Sequence, residues 1–425
     1  MNHRNNAVLD AKPLWMFVSY GGGHVKALLP VAERVQELGI ARPVYLALTT
    51  AAALVEKSGL PVLGFRNLMR PTDHRARTKG EELAAQLQVQ AAGRDESVAY
   101  LGLSYVEMED RLGPAAAAQL YAQYGRQAFM PLGILERLMR TYRPQLVVTT
   151  NAPRAERAAI ETAGALGVPS VCLVDLLGIW ERDLLARPDY ADALCVLNEA
   201  VRKSLLAAGR PAADVHVTGN PAFDHVNDPA SRAQGEHYRQ QLGWGELHVC
   251  LYASSPEPLR SPGVPGTGDP AFPRRVERDL IEAVLGNPGL ALWIRRHPSE
   301  VGAAEVTLNA HPRIRESTAH MSLHGCIHAS DEVIVTVSTV GVEAGLAGKP
   351  VTQVRGSILD HLSPYLAMGL AARELTLGQV AETYRQRVPR PNRIHPPAGS
   401  SCPTTSATDR VVQVLQSVQG RGNGH

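Results

Sequence analysis

Four short patches of this 425-residue sequence hold residue types able to do chemistry. The first, Ser19-Tyr20-Gly21-Gly22-Gly23-His24, puts three glycines ahead of an imidazole. Glycine lets a ligand approach the backbone closely, and a histidine there titrates where proton transfer is useful. The second, Leu292 to Glu300, contains Arg295-Arg296-His297-Pro298, and period-2 alternation places Arg295 and His297 on one face of a strand tip. A guanidinium fork plus an imidazole donor suits a phosphate. The third, Ser338-Thr339-Val340-Gly341-Val342-Glu343, follows an apolar run and opens a helix, so N–H groups and two hydroxyls form an anion site. Glu343 lies one turn inside, placed to accept from hydroxyls or to complement the helix dipole. The fourth is a pair of acids after apolar runs, Glu156 and Asp175, which join His24 as candidate general bases. Asp175 serves equally well as a helix cap. A tight turn and a solvated basic loop are the plainer readings of the first two patches.

Other motifs are excluded or set aside. The third glycine of a dinucleotide fingerprint falls on Lys26, and Gly348-Lys349 runs into Pro350 rather than completing a phosphate loop. His320, His324 and His328 would line one stripe of a helix, but Gly325 interrupts it and no carboxylate recurs at ligand spacing, so no metal is expected.

The elements that must position these patches alternate strand and helix. Leu14–Val18, Val44–Leu48, 61–63, Gln145–Thr149, Ser170–Val174, Ala193–Leu197 and Val215–Thr218 read as strands. Pro30 is awkward deep in a helix, so the first helix is expected to start near Leu28. Residues 66–130 break the rhythm with polar helical stretches and read as an insertion at the sheet edge. A second unit follows, with strands at His248–Tyr252, Leu290–Ile294, Glu332–Val337 and Pro350–Val354, and a last helix at Thr408–Val418. Strands joined by crossover helices imply parallel, doubly wound sheets. Two such units make the cleft between them the expected binding site.

At this point the motifs resemble the GT-B superfamily of nucleotide-sugar enzymes, over roughly Leu14 to Val354. Thr218-Gly219-Asn220-Pro221 and Gly348-Lys349-Pro350 are similar to segments of UDP-N-acetylglucosamine 2-epimerases. Gly21-Gly22-Gly23-His24 is similar to the loop of inverting UDP-sugar transferases. His297-Pro298 with Ser338-Thr339 resembles sialyl-type and capsule transferases with CMP-linked donors, and CDP-glycerol polymer transferases.

The resemblance implies an α/β fold of two Rossmann-like doubly wound parallel-sheet domains, with the C-terminal helix a candidate to cross back to the first. It implies an acceptor-side domain at 1–220 with a helical insertion at 66–130, a donor domain at 221–388, and a Pro/Ser-rich linker and terminal helix at 389–425. By the same likeness His24 and Asp175 are catalytic. Gly22, Gly23, Arg295, His297, Ser338, Thr339 and Glu343 bind the nucleotide donor, with Glu343 on the ribose. No E-x7-E pair exists, since Val351 stands eight residues beyond Glu343, and no D-x-D metal motif occurs. The expected activity is therefore metal-independent, inverting glycosyl transfer without a cofactor, in polysaccharide, glycoconjugate or secondary-metabolite biosynthesis. The donor is UDP-linked first, with CMP- and CDP-linked donors behind it. The alternatives are a nucleotide-sugar 2-epimerase or hydrolase, and a non-catalytic scaffold in polysaccharide assembly.

Composition bounds these readings. Lys and Arg total 43 against 41 Asp and Glu, a net charge of +2 that provides no field for gripping nucleic acid. Aromatics are only 5% of the chain, so cores of Ala, Val and Leu are expected. Five scattered cysteines, Cys172, Cys195, Cys250, Cys326 and Cys402, suggest neither a disulfide framework nor a zinc knuckle and fit a reducing cytoplasm. No run is long and apolar enough for a membrane span, which leaves room only for a peripheral membrane contact.

Overall fold

The computed structural model describes residues 12–87, 93–261, 263–300, 311–317, 320–387 and 405–422. Cys402 and the Pro/Ser-rich stretch 389–404 lie outside the described residues. The chain forms two compact units, 1–222 with 405–425, and 223–404.

The first unit contains β1 (Leu14–Ser19), α1 (Gly23–Glu37), β2 (Arg42–Ala47), α2 (Ala52–Ser58) and β3 (Val62–Leu63). Helices α3 (His74–Gln86), α4 (Arg94–Leu112), α5 (Pro114–Tyr124) and α6 (Leu132–Tyr142) follow. The unit continues through β4 (Leu146–Thr150), α7 (Ala155–Ala165), β5 (Ser170–Leu173), α8 (Arg182–Leu185), β6 (Ala193–Val196), α9 (Glu199–Ala207) and β7 (Val215–Val217). Its seven strands are parallel in the order β3-β2-β1-β4-β5-β6-β7.

Period-2 alternation divides the strands between two cores. Met16, Val18, Val44 and Leu46 face one helical layer, while Trp15, Phe17, Tyr45 and Ala47 face the other. The first layer is made largely of the segment expected as an edge insertion. Val98, Tyr100, Leu101 and Met108 of α4 are buried there with Leu135 and Leu138 of α6, so this segment covers a face of the sheet. Its polar composition is explained by its outer side, where Arg75 pairs with Glu109 and Asp110 and Arg94 with Glu81.

The first helix begins five residues earlier than Pro30 suggested, at Gly23. An interior proline costs about 3 kcal/mol. Val25, Leu28, Val31, Ala32 and Val35 are fully buried on the helix, and each Val or Leu returns roughly 1.5–3 kcal/mol, so burial wins.

The second unit holds α10 (Pro229–Gln241), β8 (His248–Ala253), α11 (Phe272–Gly286), β9 (Leu290–Arg295), β10 (Ile314–Glu316) and α12 (Leu323–Ala329). After these come β11 (Glu332–Val335), α13 (Val340–Leu346), β12 (Val351–Arg355), β13 (Arg373–Thr376) and α14 (Leu377–Arg385). The parallel order is β10-β9-β8-β11-β12-β13, the same winding as in the first sheet. The charged edge strands β10 and β13 gave no apolar signal in the sequence, as expected where one side of a strand is unpaired. The final helix, α15 (Ala407–Gly422), packs Val411, Val412, Leu415 and Val418 into the first unit's core beside α1. Among the described residues no helix is long and apolar enough to cross a membrane.

Candidate functional site

In each sheet the strand order reverses beside its first strand, between β1 and β4 and between β8 and β11. The carboxyl ends of strands at such a switch point form a crevice where open α/β sheets bind ligands.

At the first switch point the chain leaves β1 through Tyr20-Gly21-Gly22. A Cβ on Gly21 would collide with Thr50 Oγ1 and stand 3.3 Å from Ala51 N. Gly22 has φ +71° and ψ −134°, a conformation essentially closed to other residues, and it starts α1 without a side-chain cap. Gly23 lies so close to Asp175 that a Cβ there would be 3.3 Å from Oδ2. Bare glycine backbone therefore brings the start of α1 against a carboxylate that follows β5, far away in sequence.

His24 Nδ1 is 2.9 Å from Thr150 Oγ1 at the end of β4. Burial pushes the imidazole below its ordinary pKa, opposed by the neighbouring Asp175 and assisted by Arg154. Burial raises Asp175, partly offset by His24 and by Asn220. Asn151 Oδ1 accepts the Asp175 N–H at 2.6 Å, and Asn151 Nδ2 donates to Glu181 Oε2 at 3.0 Å. Glu181 is also raised by burial. Asn220 Nδ2 approaches Asp175 Oδ1 at 3.4 Å, on a turn tied to α15 by Arg410 Nε donating to Thr218 O at 2.8 Å. Thr150, Asn151, Glu181 and Asn220 were absent from the sequence reading as site residues. Only the strand-end position of Asn151 and the turn residues around Asn220 hinted at them.

Glu156 proves to be a support for the loop. It is fully buried, and its Oε1 accepts the Tyr20 N–H at 2.9 Å. Burial lifts its carboxyl to about 8, so it holds its proton at neutral pH. Arg154 stacks over the Tyr20 ring at 3.9 Å, and Tyr20 Oη donates to Tyr100 Oη of α4, which ties the loop to the helical layer below.

At the second switch point the sequence-selected residues are more exposed. His297 Nδ1 accepts from Ser299 N at 3.2 Å and lies 2.7 Å from its Oγ, which leaves Nε2–H as the ring's donor. Glu300 braces the loop, taking Ser254 Oγ at 3.1 Å and His297 N at 2.9 Å. Arg295 is half-buried and gives Nη1 to Met321 O at 2.9 Å. Arg296 points the other way into a buried ion pair with Glu277 at 2.8 Å and is structural. Ser338 is buried with its carbonyl held by Tyr365 Oη at 3.0 Å, and exposed Thr339 precedes α13. A Cβ on Gly341 would sit 3.0 Å from Val335 Cγ2, so glycine lets α13 close on β11.

The histidine cluster forms no common stripe, because α12 starts only at Leu323, after His320. His324 Nε2 donates to Glu343 Oε2 at 2.9 Å, and His328 Nε2 donates to Val226 O at 2.7 Å. Lys349 gives its ammonium to His328 O and Ser330 O, a structural role.

At the opposite, amino ends of β8 and β11, buried His248, Cys250 and Glu332 come within metal-ligand reach of one another. Glu332 is already held by Arg373 at 2.8 Å, by Tyr384 Oη at 3.0 Å and by Arg387 and Thr352. Burial alone would raise its carboxyl, but His248, the two arginines and Thr352 outweigh that and hold it at about 2. Two guanidinium groups on one carboxylate oppose a cation there, and the cluster reads as a structural knot.

No protein-family model matches the sequence, and no curated protein matches it. Solved structures do. UDP-GlcNAc 2-epimerase from Neisseria meningitidis, bound to UDP-GlcNAc, is 12% identical over 95% of this chain and 100% of its own, with a TM-score of 0.53. UDP-N-acetylglucosamine 2-epimerase from Rickettsia bellii is 12% identical over 97% of this chain and 98% of its own, with a TM-score of 0.53. The glycotransferase of kitacinnamycin is 13% identical over 97% of this chain and 96% of its own, with a TM-score of 0.52. At such identity the likeness establishes the fold, which is GT-B.

Proposed function

We propose that the protein is a metal-independent, inverting glycosyltransferase that moves a sugar from a nucleoside diphosphate, UDP first among candidates, to a hydroxyl acceptor. The observation that carries this reading is the His24 imidazole, bonded through Nδ1, biased by burial toward its neutral form and set beside Asp175 at a switch point of a GT-B sheet. With Nδ1–H given to Thr150 Oγ1, Nε2 holds the lone pair that takes the acceptor's proton. The acceptor oxygen bonds to the anomeric carbon as the bond from that carbon to the phosphate oxygen breaks, and the electron pair leaves with the nucleoside diphosphate. Asp175 stabilises the imidazolium that results.

In the second unit, His297 Nε2–H, Ser338, Thr339 and Arg295 are suited to the diphosphate, and Glu343 to the ribose hydroxyls. Gly22 and Gly23 let substrate approach backbone. The substrate class draws support from the fold-mates, two of which are UDP-N-acetylglucosamine 2-epimerases, one of them bound to UDP-GlcNAc.

Thermal-shift measurements with UDP, CMP, CDP and GDP test the nucleotide. A ligand at 100 times its Kd stabilises by about 2.7 kcal/mol, so a flat response to all four ends this reading.

One observation favours a second reading, a sugar-nucleotide 2-epimerase. Asp175 and Glu181 are two burial-raised carboxylic acids on one loop, Asn151 holding the Asp175 backbone N–H and the Glu181 carboxylate, and such a pair is able to remove and return a proton. Incubation of UDP-N-acetylglucosamine in D2O without acceptor separates the two. Deuterium at C2 supports the epimerase, and UDP release that requires an added acceptor supports the transferase.

A further inference from the structure

The loop after β5 holds the one exposed indole of the protein. Three of the four tryptophans, Trp15, Trp244 and Trp293, are buried to within 1%, whereas Trp180 is 54% exposed. A single exposed aromatic is ordinary by itself. Here it is adjacent in sequence to Glu181 and five residues from Asp175, and Asn151 ties the Glu181 carboxylate to the Asp175 backbone N–H.

The loop is also pinned in a way that presents the ring. Leu176 has φ +49°, a left-handed conformation costly for leucine. At Gly178, with φ +56°, a Cβ would meet Val174 Cγ1 at 2.6 Å and Leu185 Cδ1 at 2.9 Å. Leu177 and Leu185 are buried, so the middle of the loop is packed inward and Trp180 stays outside.

We infer that Trp180, Glu181 and Asn151 form a subsite for a neutral sugar ring, the acceptor of the transfer. The chemistry of the surroundings selects this ligand class. A pyranose has an apolar C–H face that lies against an indole and hydroxyls that donate to carboxylates. A purely apolar ligand would leave Glu181 and Asp175 desolvated and unpaired. A phosphate or nucleotide would meet two carboxylates of its own sign. The inference rests on the reading of His24 and Asp175 as the place where an acceptor loses its proton, and it assigns what holds that acceptor.

Because Trp180 is the exposed member of four, acrylamide quenching of intrinsic fluorescence reports on it directly. The probes are glucose, galactose and N-acetylglucosamine, each titrated alone, and UDP titrated separately. At least one hexose is expected to lower the quenching of the exposed component, and Trp180→Phe removes that component. Binding of the same hexose, followed by saturation-transfer NMR, weakens about tenfold in Trp180→Ala and stays within about threefold of wild type in Trp180→Phe. If UDP raises the melting temperature and none of the hexoses changes the quenching, the subsite is disproved while the nucleotide reading stands. Protection by UDP alone also overturns it, since that puts the nucleotide over the ring. Hexose protection without any response to UDP keeps the subsite and removes the nucleotide reading.

Discussion

The two sheets share one winding, yet their carboxyl ends have been furnished for different work. At the end of β1 and β4 the polar groups are desolvated and joined to one another: His24 to Thr150, Asp175 to Asn151, Asn151 to Glu181, and Glu156 beneath the loop. Burial has displaced the proton affinity of all four ionisable members. At the end of β9 and β11 the corresponding positions carry an exposed imidazole, exposed Thr339 and the start of a helix, braced from behind by Glu300 and Tyr365. Low dielectric shifts proton equilibria, whereas exposed donors on a rigid frame hold an anion without needing to titrate. A shared topology thus carries two different polar environments at its strand ends, and burial is what separates them.

The sharpest way to break this contrast is His24→Ala. Loss of a general base predicts a turnover number lower by about 10²–10⁴-fold with little change in nucleotide affinity. Full activity of the variant on its own donor and acceptor would remove the assignment. At the other sheet, His297→Ala and Ser338→Ala should weaken UDP binding by about tenfold each, read by calorimetry, and reduce turnover less. An equal fall in turnover at both sheets would erase the division of labour.

The pH profile sharpens the contrast further. The rate should fall as acid protonates His24, with the limb below the ordinary histidine value because burial lowers it. Asp175 opposes that shift, so Asp175→Asn is expected to move the limb lower still, as well as slowing the reaction.

Glu156 gives a smaller effect, on stability. Its folded pKa of about 8 lies above the unfolded value near 4.5, so its contribution is complete below about 4.5 and disappears as the pH rises through about 8. Glu156→Gln should flatten the melting temperature over that window. Smallest of all is the expected response to EDTA, which should leave turnover within error if no metal takes part.

Much of this was legible in the residues. Apolar runs marked most central strands, and Gly21 to His24 and Ser338 to Glu343 marked the strand ends at the two switch points. The edge strands β10 and β13 were hidden because a half-buried strand such as Arg373–Thr376 carries charge where a central strand carries valine. Helix α4 was hidden by its charged outer side, although its inner side supplies Tyr100 and Leu101 to the core.

By itself, then, the sequence determined the alternation of strand and helix, the parallel winding that follows from it, and the positions of the glycines and hydroxyls at strand ends. Tertiary structure decided which distant residues meet. Asp175 reaches Gly23 and Asn220 only because β5 lies two strands from β1, and His324 reaches Glu343 only because α12 and α13 flank β11. Periodicity is local, whereas burial and hydrogen bonding belong to the assembled chain, and these are what shift the proton affinities of His24, Asp175, Glu181 and Glu156 from their ordinary values.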